Sequence, residues 1–208
     1  MFSIYQEYDD NFILDGVKYK RNASFDNILK IINLSNDKEF SGTTKILVGI
    51  KMLFGEDFPD DYTVDELNLI LQSALEEYLE SKEAIEYDDL GEPMPALRNG
   101  KKLMDIDYDA QAIYSSFMQA YAIDLHEQLG KMHWYQFKAL LSGLPEKTRL
   151  REIIGYRGYE KPPKNETYDM RMMKLKHEHA LPPEYSGGYD DFEDEFEYDD
   201  EEVIGYGE

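Results

Sequence analysis

Thr63 stands three residues ahead of Glu66 at the head of "VDELNLILQSALEEYLES", where Val64, Leu67, Leu71, Ala74 and Tyr78 follow at steps of three, four, three and four residues. Only a period near 3.6 gathers those five side chains on one face, and Thr-x-x-Glu is the pairing that satisfies the first free N–H groups of a helix. A helix with one apolar stripe must bury it against other elements. The rest of the chain supplies them.

Ser24 precedes "FDNILKIINL", with Phe25, Ile28, Leu29 and Ile32 at helical spacing and Asp26 in the first turn. After a break at Ser41-Gly42, "TTKILVGIKMLFG" is apolar on nearly all sides, which predicts a buried helix that Gly55 ends in a left-handed cap. In residues 107–125, "DYDAQAIYSSFMQAYAIDL", Ala110, Ile113, Tyr114, Phe117 and Tyr121 share a face and Asp107 is the expected N-cap. Residues 131–144 hold Met132, Trp134, Tyr135, Phe137, Ala139, Leu140, Leu141 and Leu144 and read as an interior helix. Gly143 is the expected left-handed residue past its end, Leu144 folds back on the last turn, and Pro145 forbids continuation. "EKTRLREIIGYR" makes the sixth helix.

Against this stands one β signal. Asp15-Gly16 in "NFILDGVKYKRN" accepts the two positive φ angles of a type I′ turn, so a small hairpin is expected over roughly residues 3 to 20. Residues 85–102, with two prolines, two glycines and no period, read as a loop between two helical halves. The expected fold is mainly α: one helical domain over residues 1–160, of about six helices with the N-terminal hairpin, then a Pro-flanked basic segment at 161–183 able to form a helix. Residues 184–208 are an acidic, aromatic tail with twelve acids and neither Lys nor Arg. That tail is either a solvated, disordered segment or a docking segment whose rings anchor on a partner.

Charge narrows the partners. With 44 Asp and Glu against 22 Lys and Arg the chain carries −22, which opposes binding to nucleic acid or anionic membranes. No cysteine is present, no apolar run approaches a membrane span, and "MFSIYQEYDD" lacks the basic and apolar regions of a signal peptide. The expected setting is the cytoplasm.

Reactive constellations are scarce. "DIDYD" at Asp105, Asp107 and Asp109 opens like a calcium loop, but Ala110 stands where glycine is required and Ser116 where glutamate is, so a helix start is preferred. His177 and His179 are two apart, which puts them on different helical faces. "RGYE" from Arg157 departs from an RNA-stacking motif at Glu160. No phosphate-cradling loop, zinc-protease helix or nucleophile elbow occurs, and no group orients any of the four histidines. The expectation is a protein that is not an enzyme and uses no metal or cofactor. His133 and Trp134 read as packed core rather than as a ligand cage.

"DYDAQAIYSSFMQAYAIDL" followed by "MHWYQFKALLSGLPEKTRLREIIGYR" (132–157) resembles the tail-assembly chaperone family of long-tailed phages of Gram-positive hosts, small proteins encoded next to the tape-measure gene. The residues that carry the likeness are Asp109, Ile113, His133, Trp134, Phe137, Leu141, Gly143, Leu144 and Pro145. The family pattern has leucine where Met132 stands and covers roughly residues 1 to 160.

The resemblance implies a non-enzymatic protein that binds the tape-measure protein, a long apolar-rich helical chain, and keeps it soluble in the host cytoplasm during infection. Such a protein is expected to be absent from the mature virion. A holdase needs exposed rings repeated by homo-oligomerisation, and charge for solubility. The expected contact residues are Tyr108, Tyr114, Phe117 and Tyr121 in helix four and Phe192, Phe196 and Tyr198 in the tail. The alternative is an acidic nucleic-acid mimic that inhibits a host enzyme. It requires carboxylates along a folded face, whereas twelve acids lie in one terminal run.

Overall fold

In the computed structural model, which describes residues 5–79, 102–160 and 166–186, Asp15 and Gly16 take φ values of 51° and 79° and turn β1 (Asn11–Leu14) into β2 (Val17–Lys20). The register runs from Asn11 opposite Lys20 to Leu14 opposite Val17. The hairpin thus starts at Asn11 rather than near residue 3. Tyr8 and Asp10 instead pack and hydrogen-bond around His133.

Seven helices follow among the described residues: α1 (Phe25–Asn36), α2 (Gly42–Phe54), α3 (Val64–Leu79), α4 (Ala110–Tyr121), α5 (Trp134–Ser142), α6 (Arg149–Arg157) and α7 (Glu166–Glu178). The mainly α fold with an N-terminal hairpin is as expected, and α7 is the helix of the Pro-flanked segment. Lys176 donates to the Tyr159 carbonyl, the Tyr159 hydroxyl donates to buried Asp169, and Arg157 donates to the His179 carbonyl, so α7 lies along α6.

The capping box of α3 is formed. The Thr63 N–H donates to Glu66 Oε2 at 2.8 Å, and the Glu66 N–H returns to Thr63 Oγ1 at 3.4 Å. Thr63→Ala should cost about 1 kcal/mol in urea unfolding. An unchanged midpoint would mean that the box contributes nothing.

Helix α2 departs from its expected burial. Gly49, Ile50 and Leu53 are buried, but Leu47 is 43% and Val48 37% exposed, because the hairpin, α1 and α3 do not cover that side. A Cβ on Gly49 would come 2.8 Å from Leu71 Cδ2, so a larger residue there would have to displace the tip of the Leu71 side chain. Gly55 ends the helix at φ 88° but with ψ −177°, a positive φ without the left-handed helical turn.

Two further boundaries move for identifiable reasons. Helix α4 begins at Ala110, not beside Asp107, because residues 106–109 form a turn whose amides at Asp107 and Tyr108 donate to the Asp105 carboxylate. Helix α5 begins at Trp134, not at 131. The Phe25 N–H donates to the Met132 carbonyl and the Trp134 N–H to the Ala23 carbonyl, an antiparallel bridge that holds His133 extended and keeps Lys131–His133 out of the helix. At the other end Gly143 sits at φ −82° and is not left-handed. Its missing Cβ still matters, since one would lie 3.1 Å from the Ala139 carbonyl oxygen.

The main core joins α1–α6 around Ile28, Leu53, Tyr78, Ile113, Phe117, Phe137 and Leu150, with Phe137 stacked between Phe25 and Phe117. A smaller core of Ile50, Phe58, Leu67 and Ile70 lies under the hairpin, which supplies Phe12, Leu14 and Tyr19.

Candidate functional site

The bridge between Ser24 and His133 places the histidine as N-cap of α5. Its Nδ1 accepts the Tyr135 N–H at 3.1 Å. An accepting Nδ1 leaves the proton on Nε2, which donates to Asp10 Oδ1 at 2.9 Å. The Tyr78 hydroxyl reaches the same oxygen at 3.0 Å, and Tyr8 stacks on the imidazole at 3.8 Å. Burial pushes the Tyr78 phenol far up, so it stays protonated and donates.

Arg21, itself buried, crosses the Tyr78 ring at 4.6 Å and donates to the Ala74 carbonyl and the Glu77 carboxylate. Trp134 completes the join: its indole N–H and the Lys138 ammonium both donate to the Tyr78 carbonyl, at 2.8 and 2.9 Å. Tyr135 donates to Glu77, with its phenol raised by burial and by that bond. These contacts satisfy the exposed carbonyl end of α3 with side chains from the start of α5.

Chemically, this centre holds chain segments together. A general base needs a free lone pair, and both ring nitrogens of His133 are engaged. The nearby Ser24 hydroxyl donates to Asn22 Oδ1.

A second centre pairs Asp109 with Arg157. The guanidinium contacts both carboxylate oxygens at 2.6 and 2.8 Å, with the side chains 3% and 5% exposed. Arg157 also donates to the carbonyls of Leu103 and His179, and Asp109 accepts the Asp105 N–H. The calcium-like "DIDYD" run is thereby explained as a turn whose carboxylates serve Arg157, Lys102 and backbone amides.

The expected contact residues of α4 and its approach are dispersed. Phe117 is fully buried in the core and cannot touch a partner, which corrects that assignment: it lies at the centre of the α4 stripe, where Phe137 stacks on it. Tyr121 is half-buried, with its hydroxyl on the Leu140 carbonyl, and Tyr114 lies against His126 and Asp124. Tyr108 is exposed but sits 5.3 Å from Tyr185. Phe192, Phe196 and Tyr198 lie outside the described residues.

Of the motif residues, Asp109, Ile113, Trp134, Phe137 and Leu144 are buried, Leu141 is half-buried, and Gly143 and Pro145 lie at the surface. Sequence reasoning missed Asp10, Tyr8 and Arg21, whose only signal is polarity next to an apolar run.

Beside His133 lies a cleft of about 550 Å³ between the hairpin, α1 and the end of α2, lined by Lys20, Arg21, Lys51 and Lys131 together with Asp10. Away from it, the surface of α2 presents Leu47 and Val48, and Phe40 is exposed in the bend just ahead of the helix.

The family model described as "Bacteriophage Gp15 protein" matches residues 8–181. The chain belongs to that bacteriophage family. No curated protein and no solved structure matches it.

Proposed function

We propose that this member of the bacteriophage Gp15 family is a tail-assembly chaperone that acts by binding, not catalysis, and keeps the tape-measure protein soluble in the host cytoplasm. The observation that carries the reading is the exposed apolar surface of Leu47 and Val48 on α2, with Phe40 in the bend just ahead of it, 43%, 37% and 48% exposed, on a protein whose net charge of −22 keeps it in solution. An apolar helix face of this kind can take the apolar stripe of a helical client, and homo-oligomerisation would repeat it. Helix α4 is less suited, because Phe117 is in the core and the Tyr121 hydroxyl is held by the Leu140 carbonyl. Support also comes from His133 and Trp134, whose polar atoms are spent on holding Asp10 and the end of α3 to the start of α5.

Co-expression with the phage's own tape-measure protein tests the proposal. Soluble tape-measure protein should rise and the two chains should be recovered together; no complex and no gain in solubility would end the idea. Leu47→Asp with Val48→Asp should cut recovery of the complex at least about tenfold, the effect of losing a contact worth ~1.4 kcal/mol, while the circular-dichroism spectrum stays unchanged. Full recovery would remove α2 as the contact face.

A further inference from the structure

Cationic side chains converge on one cleft of a strongly acidic protein. Lys20 ends β2, Arg21 follows it, Lys51 lies in the last turn of α2, and Lys131 stands ahead of α5. Among the lining residues Asp10 is the one carboxylate, and His133 and Tyr78 already engage it. Arg21 is committed to Ala74 and Glu77. The three lysines are exposed: Lys51 meets Glu56 in a solvent-facing pair, and Lys131 donates to the Glu127 carbonyl. Such surface contacts contribute about 0 to 1 kcal/mol and exchange readily. Met52 and Phe54, both half-buried, add an apolar wall.

We propose that residues 187–208 of the same chain dock in this cleft, carboxylates on the lysines and rings against the Met52–Phe54 wall. The segment holds eleven acids, no Lys or Arg, and Tyr189, Phe192, Phe196, Tyr198 and Tyr206. Its root is well placed. Tyr185 packs beside Tyr108, and the adjoining Asp107 accepts from Asn33 in the last turns of α1, whose first turn borders the cleft at Ser24. Helix α1 is roughly 18 Å long at 1.5 Å per residue, and the tail's 22 residues extend to roughly 70 Å. A tether confers an effective concentration on the order of millimolar. An untethered polyanion such as nucleic acid gains no such advantage and meets the repulsion of the whole chain. Nearer the root, α6 and α7 carry exposed cations of their own, among them Arg149 and Lys174 in surface pairs with Glu152 and Glu178, and these are the competing contacts that the labelling experiment separates from the cleft.

Docking would make the cleft self-occupied. A partner bringing an acidic, aromatic segment would have to displace the tail.

The chain has no cysteine, so Tyr198→Cys offers a single site for a nitroxide label on the full-length protein. In ¹⁵N-labelled protein at ~0.1 M salt, the label should broaden the amides of residues 20–24, 51–55 and 130–133. At ~1 M salt, where the screening length falls to about 3 Å, most of that broadening should vanish. It should vanish equally in Lys20→Glu/Lys51→Glu/Lys131→Glu at low salt, with amide shifts elsewhere unchanged; if that variant does not fold, the three single Lys→Gln changes should each weaken it. Broadening centred on α6 and α7, or none at the cleft, would overturn the proposal. So would broadening seen only when labelled and ¹⁵N chains are separate molecules. Capture of a fluorescent single-stranded oligonucleotide in the cleft at the same salt would assign it to nucleic acid and likewise overturn the proposal.

Discussion

Arg157→Ala is expected to lower stability by about 3 to 5 kcal/mol, the cost of leaving one member of a buried ion pair without its partner. The size follows from what the guanidinium holds. It is bidentate on Asp109 and also donates to the carbonyls of Leu103 and His179, so one side chain joins the turn before α4, the end of α6 and the segment after α7. Removing it strands a carboxylate that is 3% exposed and frees two carbonyls at once. Urea unfolding of the variant measures the loss, and hydrogen exchange should place the first opening in α7. Arg157→Met combined with Asp109→Leu should recover most of the stability, because two apolar side chains need no partner. If Arg157→Ala costs less than about 1 kcal/mol, the pair is an exposed one in solution and the join is made elsewhere.

Trp134→Ala should cost a similar ~3 to 5 kcal/mol, for a different reason. The ring is 5% exposed, packs 5.8 Å from Phe137, and is the platform for the Lys138 ammonium at 5.4 Å. Truncation opens a cavity and also takes away one of the two donors on the Tyr78 carbonyl. Trp134→Phe separates the two effects: it keeps most of the apolar volume, so its loss should approach the ~1 kcal/mol of a single hydrogen bond. A Trp134→Ala loss under ~1 kcal/mol would place the ring outside the core and make it a contact residue instead.

Reading from sequence reached furthest where local chemistry decides. The turn at Asp15-Gly16, the Thr63–Glu66 box and the stripe through Leu67, Ala74 and Tyr78 depend on neighbours within four residues, and all three are present. The burial of Trp134 and Phe137 was legible in the motif around them. The motif's place at a helix start was not, because the bridge to Ser24 that pulls residues 131–133 out of the helix spans more than a hundred positions.

Exposure was the harder property. Phe117 and Leu47 carry similar apolar signals, yet one is sealed by Phe137 and Tyr121 while the other faces water. Periodicity says that a helix has an apolar face and not how many neighbours arrive to cover it.

The sequence by itself determined the helical class, the hairpin turn, the Thr63–Glu66 capping box and the acidic balance, since propensity, turn geometry and formal charge are properties of short segments. Only the tertiary structure decided that Asp10 would meet His133, that Asp109 would meet Arg157, and that three lysines would line one cleft. Those meetings join residues from 31 to 123 positions apart in the chain. Their partners are selected by which apolar faces bury together, and no local pattern records that choice.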